Sequence, residues 1–355
     1  MRVVIICPAV RGAMGYHLQA IARHYPVAEE LTLYVPATFH SKELPCRVVR
    51  YPISQRALSK SVAYLSWAWA RRRFSEIRHL GVDVFHLFNS DGYLSSWFWA
   101  RWVRCELRKP FIVSVHDPEP HPGSWMNLVF HWIGRQTQRQ ASHVHIFSDY
   151  FVPRMRAFGI PMERLFVIPL CTDISNFTRH MQSGVAREPL VLFFGRMEAY
   201  KGLPVLVEAA EQLEGKLRFA LAGPGRLPRS LKQRILAKPH LFELYNYFVP
   251  EPEVARLFQR ASVCVMPYTQ ATQSSVPWIA AAFGVPVVAT ATGGIESQVR
   301  QINGVIVPPN DSRALAQGIL EAMGREVRLP EEWHPTVVAR QYRAMYQRVH
   351  AEGCL

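Results

Sequence analysis

The chain has 355 residues, 49% hydrophobic and 19% charged, so it has the apolar content of a folded protein and enough length for two cores. Lys and Arg number 41 against 27 Asp and Glu, and the resulting +14 points to an anionic partner: nucleic acid, an acidic membrane surface or a phosphorylated small molecule. Cys7, Cys46, Cys105, Cys171, Cys264 and Cys354 lack CxxC spacing, which argues against a zinc site or disulfide frame and fits reduced thiols in a cytoplasmic protein.

The opening run Met1-Arg-Val-Val-Ile-Ile-Cys-Pro8 is too short for a signal-peptide core or a membrane span and suits a first buried strand. No later stretch reaches spanning length without charge, so a soluble protein, at most peripheral on a membrane, is expected. Strand Arg2–Cys7 leads into Arg11-Gly-Ala-Met-Gly15 and then helical spacing from Tyr16 to His24, the start of a doubly wound sheet. The spacing is not GxGxxG. Gly12 and Gly15 serve either close approach of a ligand to the backbone or an ordinary tight turn.

Leu31–Val35 and Cys46–Tyr51 read as further strands. Leu58 to Leu80 carries Tyr64, Trp67 and Trp69 beside Arg71-Arg-Arg73; Tyr93 to Lys109 carries Trp97, Phe98, Trp99 and Trp102 with Arg101 and Arg104. Tryptophan beside arginine is what a helix in an anionic lipid interface presents, and the same rings serve equally as core or domain contacts. Nucleic acid is not expected, for no helix-turn-helix, zinc finger or ribonucleoprotein aromatic motif is present. Val82–Phe88 and Phe111–Asp117 are strands, the second opening onto Pro118–Gly123. In an open α/β sheet the ligand crevice lies past the carboxyl ends of the strands, which places His116 and Asp117 in it, with His121 a second contact or solvated. Val144–Phe147 and Leu165–Ile168 close the first half, and the join falls near Cys171–Glu188.

In the second half, Leu190–Phe194, Leu217–Ala222, Val263–Met266, Val285–Ala289 and Val305–Val307 are continuous apolar runs, as in a parallel sheet covered on both faces. Helices start near Lys201, Leu227, Glu253, Val276 and Ile295, followed by Ser312–Met323 and a last helix from Glu332 through Tyr346. The first of these strands ends on Gly195, then presents Arg196 and Lys201-Gly202 before a helix. A guanidinium fork and a compact ammonium at a strand-to-helix turn are one way to hold a phosphate; the alternative is a solvated loop.

The order of signatures is the informative part: Gly195-Arg…Lys-Gly202, Ala222-Gly-Pro-Gly225, Met266-Pro-Tyr268, Phe283-Gly-Val-Pro-Val-Val-Ala-Thr290, Gly293-Gly294, then Val307-Pro-Pro-Asn-Asp311. Together with the first glycine loop and Val115-His-Asp-Pro118, it resembles the retaining GT-B glycosyltransferases of family GT4 over nearly the whole chain. The resemblance implies an α/β fold of two Rossmann-like domains facing a central cleft: residues 1–172 on the acceptor side, 173–330 binding a nucleotide sugar, and 331–355 a helix packing back on the first domain. It implies a UDP- or GDP-linked donor as substrate and no metal or other cofactor. Arg196 and Lys201 are similar to the pair that binds the donor diphosphate, and His116 to the histidine near the transferred sugar. Gly12 and Gly15 resemble the loop that meets donor phosphates or acceptor. Gly195, Gly223 and Gly225 fall in the donor loops, and N–H groups at the helix start after Ser275 suit the same phosphates. The implied reaction is front-face substitution with retention, on a saccharide or lipid-linked acceptor of a surface polysaccharide or glycolipid.

The chain departs from the family at two glutamates spaced eight residues apart, which are Ala271 and Ile279 here. Neither accepts a hydroxyl hydrogen bond, so Gln270, Gln273 and Ser274 are expected to supply neutral contacts, and Glu296 to be a shifted substitute for another family glutamate. Two other readings remain at this level: a GT-B subunit that binds without turnover, and a nucleotide-sugar epimerase, for which the loops are short of carboxylate acid/base groups.

Overall fold

The apolar runs of the first half form β1 Val3–Ile6, β2 Leu31–Pro36, β3 Arg47–Tyr51, β4 Val84–Phe88, β5 Phe111–Val115, β6 His143–Ile146 and β7 Leu165–Val167. All pair in parallel, in the order β3-β2-β1-β4-β5-β6-β7. The second half forms β8 Leu190–Phe194, β9 Arg218–Ala222, β10 Phe242–Tyr245, β11 Val263–Met266, β12 Val287–Thr290 and β13 Val305–Val307, again all parallel, ordered β10-β9-β8-β11-β12-β13. The sequence reading lacks β10, because Phe-Glu-Leu-Tyr is short, alternates in polarity and lies at the sheet edge, where one face stays half-exposed. This computed structural model describes residues 1–353 apart from 11, 12, 40, 42, 54–62, 89–91, 117, 119–124 and 272. Gly12, Asp117, His121 and Cys354 therefore lie outside the described residues.

The chain divides into two compact units, Met1–Cys171 with Glu332–Leu355, and Thr172–Glu331. In each, the first strand sits mid-sheet and the chain winds outward both ways, so the strand order reverses between β1 and β4 in unit 1 and between β8 and β11 in unit 2. Crevices for ligands form at the carboxyl ends of strands beside such a reversal. Local chemistry fixes the helices that follow. The Ser66 hydroxyl accepts from Trp69 N–H to cap Trp67–Arg78, and Asp311 accepts from Arg313 and Ala314 N–H to cap Ser312–Ala322.

Unit 1 buries a polar layer that the sequence does not announce. Its C-terminal helix, Pro335–Glu352, sets Tyr342 and Tyr346, both 0% exposed, over His17, His86 and His145, also 0% exposed. The protons are ordered by one carbonyl. Ile168 O can only accept, so His145 Nε2–H donates to it at 3.0 Å. His145 Nδ1 then accepts from Ser114 Oγ–H at 2.7 Å, Ser114 Oγ accepts from His86 Nε2–H at 2.7 Å, and His86 Nδ1 accepts from Tyr346 O–H at 2.7 Å. His17 Nδ1 accepts the Cys171 N–H at 2.9 Å while its Nε2–H donates to Tyr342 at 3.1 Å. His86 and His145 each use one nitrogen as donor and one as acceptor, so an added proton displaces a hydrogen bond already made, while His17 Nδ1 also has Cys171 O within 3.0 Å. Burial holds these imidazoles neutral: His17 is pushed down to about 3, His145 to about 4, and His86 well below the usual range.

Candidate active site

Parallel strands bring all their carboxyl ends to one sheet edge, so in unit 2 the residues after β8, β9, β10 and β11 must converge. They do so through backbone contacts that only glycine permits. Gly195 N–H donates to Ala222 O at 2.9 Å, and Met197 N–H to Pro224 O at 2.7 Å. A Cβ on Gly223 would stand 2.0 Å from Gly195 O, and one on Gly225 2.4 Å from Met197 O. Asn246, after β10, donates from Nδ2 to Gly223 O at 3.3 Å and Gly225 O at 3.1 Å. Gly223 and Gly225 thus hold two loops together.

The loop after β8 is fastened equally to the loop after β11. Thr269 N–H donates to Tyr200 O at 2.8 Å. Gly202 has φ +66°, and a Cβ there would lie 1.7 Å from Pro267 O. Because Gly202 lets Pro267 come this close, Lys201 is laid on the neighbouring ring: its Nζ stands 3.5 Å from the Tyr268 centroid and 4.9 Å from that of Tyr200. Gly202→Ala is therefore expected to cost roughly 2 kcal/mol or more from the clash and the left-handed φ, read as a lowered urea midpoint.

The two cations of this loop differ in kind. Arg196 is 66% exposed and held by its own loop, Nη1 on Glu198 Oε1 at 2.8 Å and Nη2 on the Tyr200 hydroxyl at 3.5 Å. Lys201 is half-buried and forms no ion pair with a carboxylate among the described residues. Desolvation, and secondarily the Arg196 charge, pull its ammonium down to about 7. The site therefore combines a permanent guanidinium with an ammonium that an arriving anion would recharge.

The remaining expected residues divide. Gln270 is exposed, while the Gln273 amide is buried at both Oε1 and Nε2 with no hydrogen-bond partner among the described residues; the Tyr268 hydroxyl is buried beside the Ser274 side chain. Ser274 is spent on structure: its Oγ accepts Val276 N–H at 3.2 Å and its N–H donates to Gln298 Oε1 at 3.2 Å. The helix Val276–Ala282 after Ser275 has Pro277 in its first turn, so with Val276 N–H taken it offers fewer free donors than expected. Ile279 is 2% exposed and packs inward, and Glu296 pairs with Arg300 at 2.8 Å on its own helix.

In unit 1, His116 follows β5 with its ring against Phe147 at 5.8 Å. Gly15 is buried where a Cβ would meet Val10 O at 2.2 Å, so it serves the close packing of the loop on its helix. Glu198, Tyr200, Tyr268 and Asn246 were not singled out from sequence as site residues. Two of them carried a signal: Tyr268 closes the Met266-Pro-Tyr268 signature, and Glu198 is an acid two residues from the arginine. Among the described residues no group of three or more His, Cys, Asp or Glu is placed to hold a metal ion.

This geometry agrees with two family models, a glycosyl transferase 4-like domain over residues 2–171 and glycosyl transferases group 1 over residues 188–325. The chain belongs to the group 1 glycosyltransferases. Among relatives of this chain, a D-inositol 3-phosphate glycosyltransferase of Xylanimonas cellulosilytica is 30% identical over 197 residues, 49% of this chain and 47% of that protein. A putative colanic acid biosynthesis glycosyltransferase, WcaL of Escherichia coli, is 29% identical over 182 residues, 48% of this chain and 45% of that protein. The chain spans about half the length of these relatives. HepE of Anabaena in complex with UDP and glucose superposes with a TM-score of 0.69 at 19% identity, covering 99% of this chain and 98% of that one. Two all-parallel α/β units with whole-chain likenesses of this kind make the fold GT-B. No helix is long and apolar enough to cross a membrane among the described residues.

Proposed function

We propose that this glycosyltransferase moves a sugar from a UDP- or GDP-linked donor to a saccharide or lipid-linked acceptor with retention, in surface polysaccharide or glycolipid synthesis. One observation carries the reading: a half-buried lysine with no carboxylate ion pair among the described residues, stacked on Tyr268 beside Arg196 at the carboxyl edge of a sheet whose order reverses there. A diphosphate supplies the missing anion. In the reaction the bond between the sugar anomeric carbon and the diphosphate oxygen breaks, and its electron pair leaves on that oxygen. Arg196 and Lys201 stabilise the charge as it builds. The acceptor oxygen bonds the same face of the anomeric carbon, and its proton passes to the departing phosphate. The buried Gln273 amide, without a hydrogen-bond partner among the described residues, suits sugar hydroxyls, which both donate and accept. His116 is proposed to orient hydroxyls of the transferred sugar.

The glutamates absent at Ala271 and Ile279 favour one rival, a subunit that binds donor without turnover. A thermal-shift panel of UDP, GDP, ADP and their hexose conjugates separates the readings, because a ligand of the native state raises the melting point. A stabilising nucleotide sugar that is then consumed with an acceptor supports transfer; stabilisation without consumption supports the rival. No shift with any nucleotide would refute both.

A further inference from the structure

Three helices lie side by side on unit 1: Trp67–Arg78, Leu94–Trp102 with its continuation Val103–Leu107, and Trp125–Gln140, the second packed against both others. Their sheet-facing sides bury Ala70, Phe74 and Ile77, Trp99 and Val103, and Ile133. That settles part of the aromatic question. Trp99 is core, its Nε1–H donating to Ala70 O at 3.0 Å, and Tyr64 is 2% exposed.

The opposite sides carry a second apolar set. Trp67 is 57% exposed, and Leu128 and Trp132 are 62% exposed each. The rings continue across helices: Trp67 meets Trp102 edge-on at 6.3 Å, and Phe98 stacks on Trp102 at 5.2 Å. The same three helices hold eight arginines and two glutamates. Both acids are already paired, Glu76 with Arg73 at 2.9 Å and Glu106 with Arg71 at 2.5 Å. Arg72, Arg78, Arg101 and Arg139 are exposed and have no ion-pair partner among the described residues. Exposed tryptophan and leucine among uncompensated guanidinium groups need a partner that is apolar and anionic at once. Nucleic acid offers no apolar layer for Leu128. A bilayer with anionic headgroups offers both, its acyl boundary taking the rings and its phosphates the arginines.

We propose that the outer face of these three helices docks on an anionic lipid bilayer, lying on it without crossing. The inference is independent of sugar transfer. The test is flotation of the full chain at low salt with vesicles of phosphatidylcholine alone or mixed with phosphatidylglycerol. The chain is expected to float with the anionic vesicles only. Trp67→Ser with Trp132→Ser, or Arg72→Glu with Arg101→Glu, is expected to cut the bound fraction at least about tenfold without changing the melting temperature or the UDP response. Failure to float with anionic vesicles, or flotation untouched by both double variants, would overturn the proposal. So would a dimer in solution that these substitutions dissolve, which would assign the face to a second copy of the chain.

Discussion

Lys201→Met is expected to lower the transfer rate by at least about a hundredfold, by loss of a cation aimed at developing charge, while leaving the protein at least as stable at neutral pH. The two effects have one origin. The folded-state pKa of Lys201 is about 7 against 10.5 for the free side chain, so between these values the unfolded chain binds more protons than the folded one. Stability therefore rises with pH across that window, and below it the charged ammonium is sheltered at a cost. Methionine keeps the stem on Tyr268 and removes the charge. Melting curves at neutral pH beside initial rates with a nucleotide-sugar donor check the pair of outcomes. A variant that loses activity only by unfolding would contradict it. Arg196→Met makes the useful contrast, because Arg196 is exposed and paired with Glu198, and its loss should weaken donor binding with little change in stability either way.

The second large effect is acid unfolding confined to unit 1. His17, His86 and His145 all have folded pKa values below 6.5, so the unfolded chain takes up more protons as pH falls through 6.5 and stability is lost in step. Three such rings give a limiting slope of roughly 4 kcal/mol per pH unit, large against the roughly 5–15 kcal/mol that holds a protein folded. The histidines of unit 2, His180 and His240, stand outside any such buried layer, and His240 is 64% exposed. Unit 2 is expected to persist until its ion-paired carboxylates, such as Glu188 and Glu243 on Arg260, begin to protonate at lower pH. Hydrogen exchange at pH 5 should therefore show early loss of protection in β4, β5, β6 and the Pro335–Glu352 helix, with β8 to β13 still protected. Equal protection in both units at that pH would be the opposite result.

Much of this was legible from the chain because continuous apolar runs define parallel strands and because the loops after β8, β9 and β12 carry their glycines at fixed places. Sequence spacing could not say what those glycines touch. Gly223 and Gly225 read only as positions in donor loops, and the space a Cβ would take at each is filled by the backbone of residues 195–197. The buried histidine layer was illegible for a related reason. Ser114 and His145 face each other only through the register of β5 on β6, and Tyr346 reaches His86 across 260 positions. Each looks alone like a polar residue in a strand. The seat of Lys201 on Tyr268 is likewise a product of two loops that meet only in the folded sheet. The tryptophans were ambiguous because helical spacing there is blurred; burial sorts Trp99 to the core and Trp67 to the surface.

In the proposed reaction the loop Gly195–Gly202 receives the donor diphosphate through Arg196 and Lys201. Calorimetric titration with UDP and with GDP at pH 8, in buffers of different ionisation enthalpy, tests it most directly. At that pH the nucleotide phosphate is already ionised, with a pKa of about 6, and most of the Lys201 side chains are neutral, so a bound diphosphate must draw a proton onto the lysine. The predicted result is binding of one nucleotide with uptake of nearly one proton, an affinity that weakens up to about tenfold per pH unit above 7, and loss of the linkage in Lys201→Met. Nucleotide binding with no proton uptake, unchanged by that substitution, would contradict it.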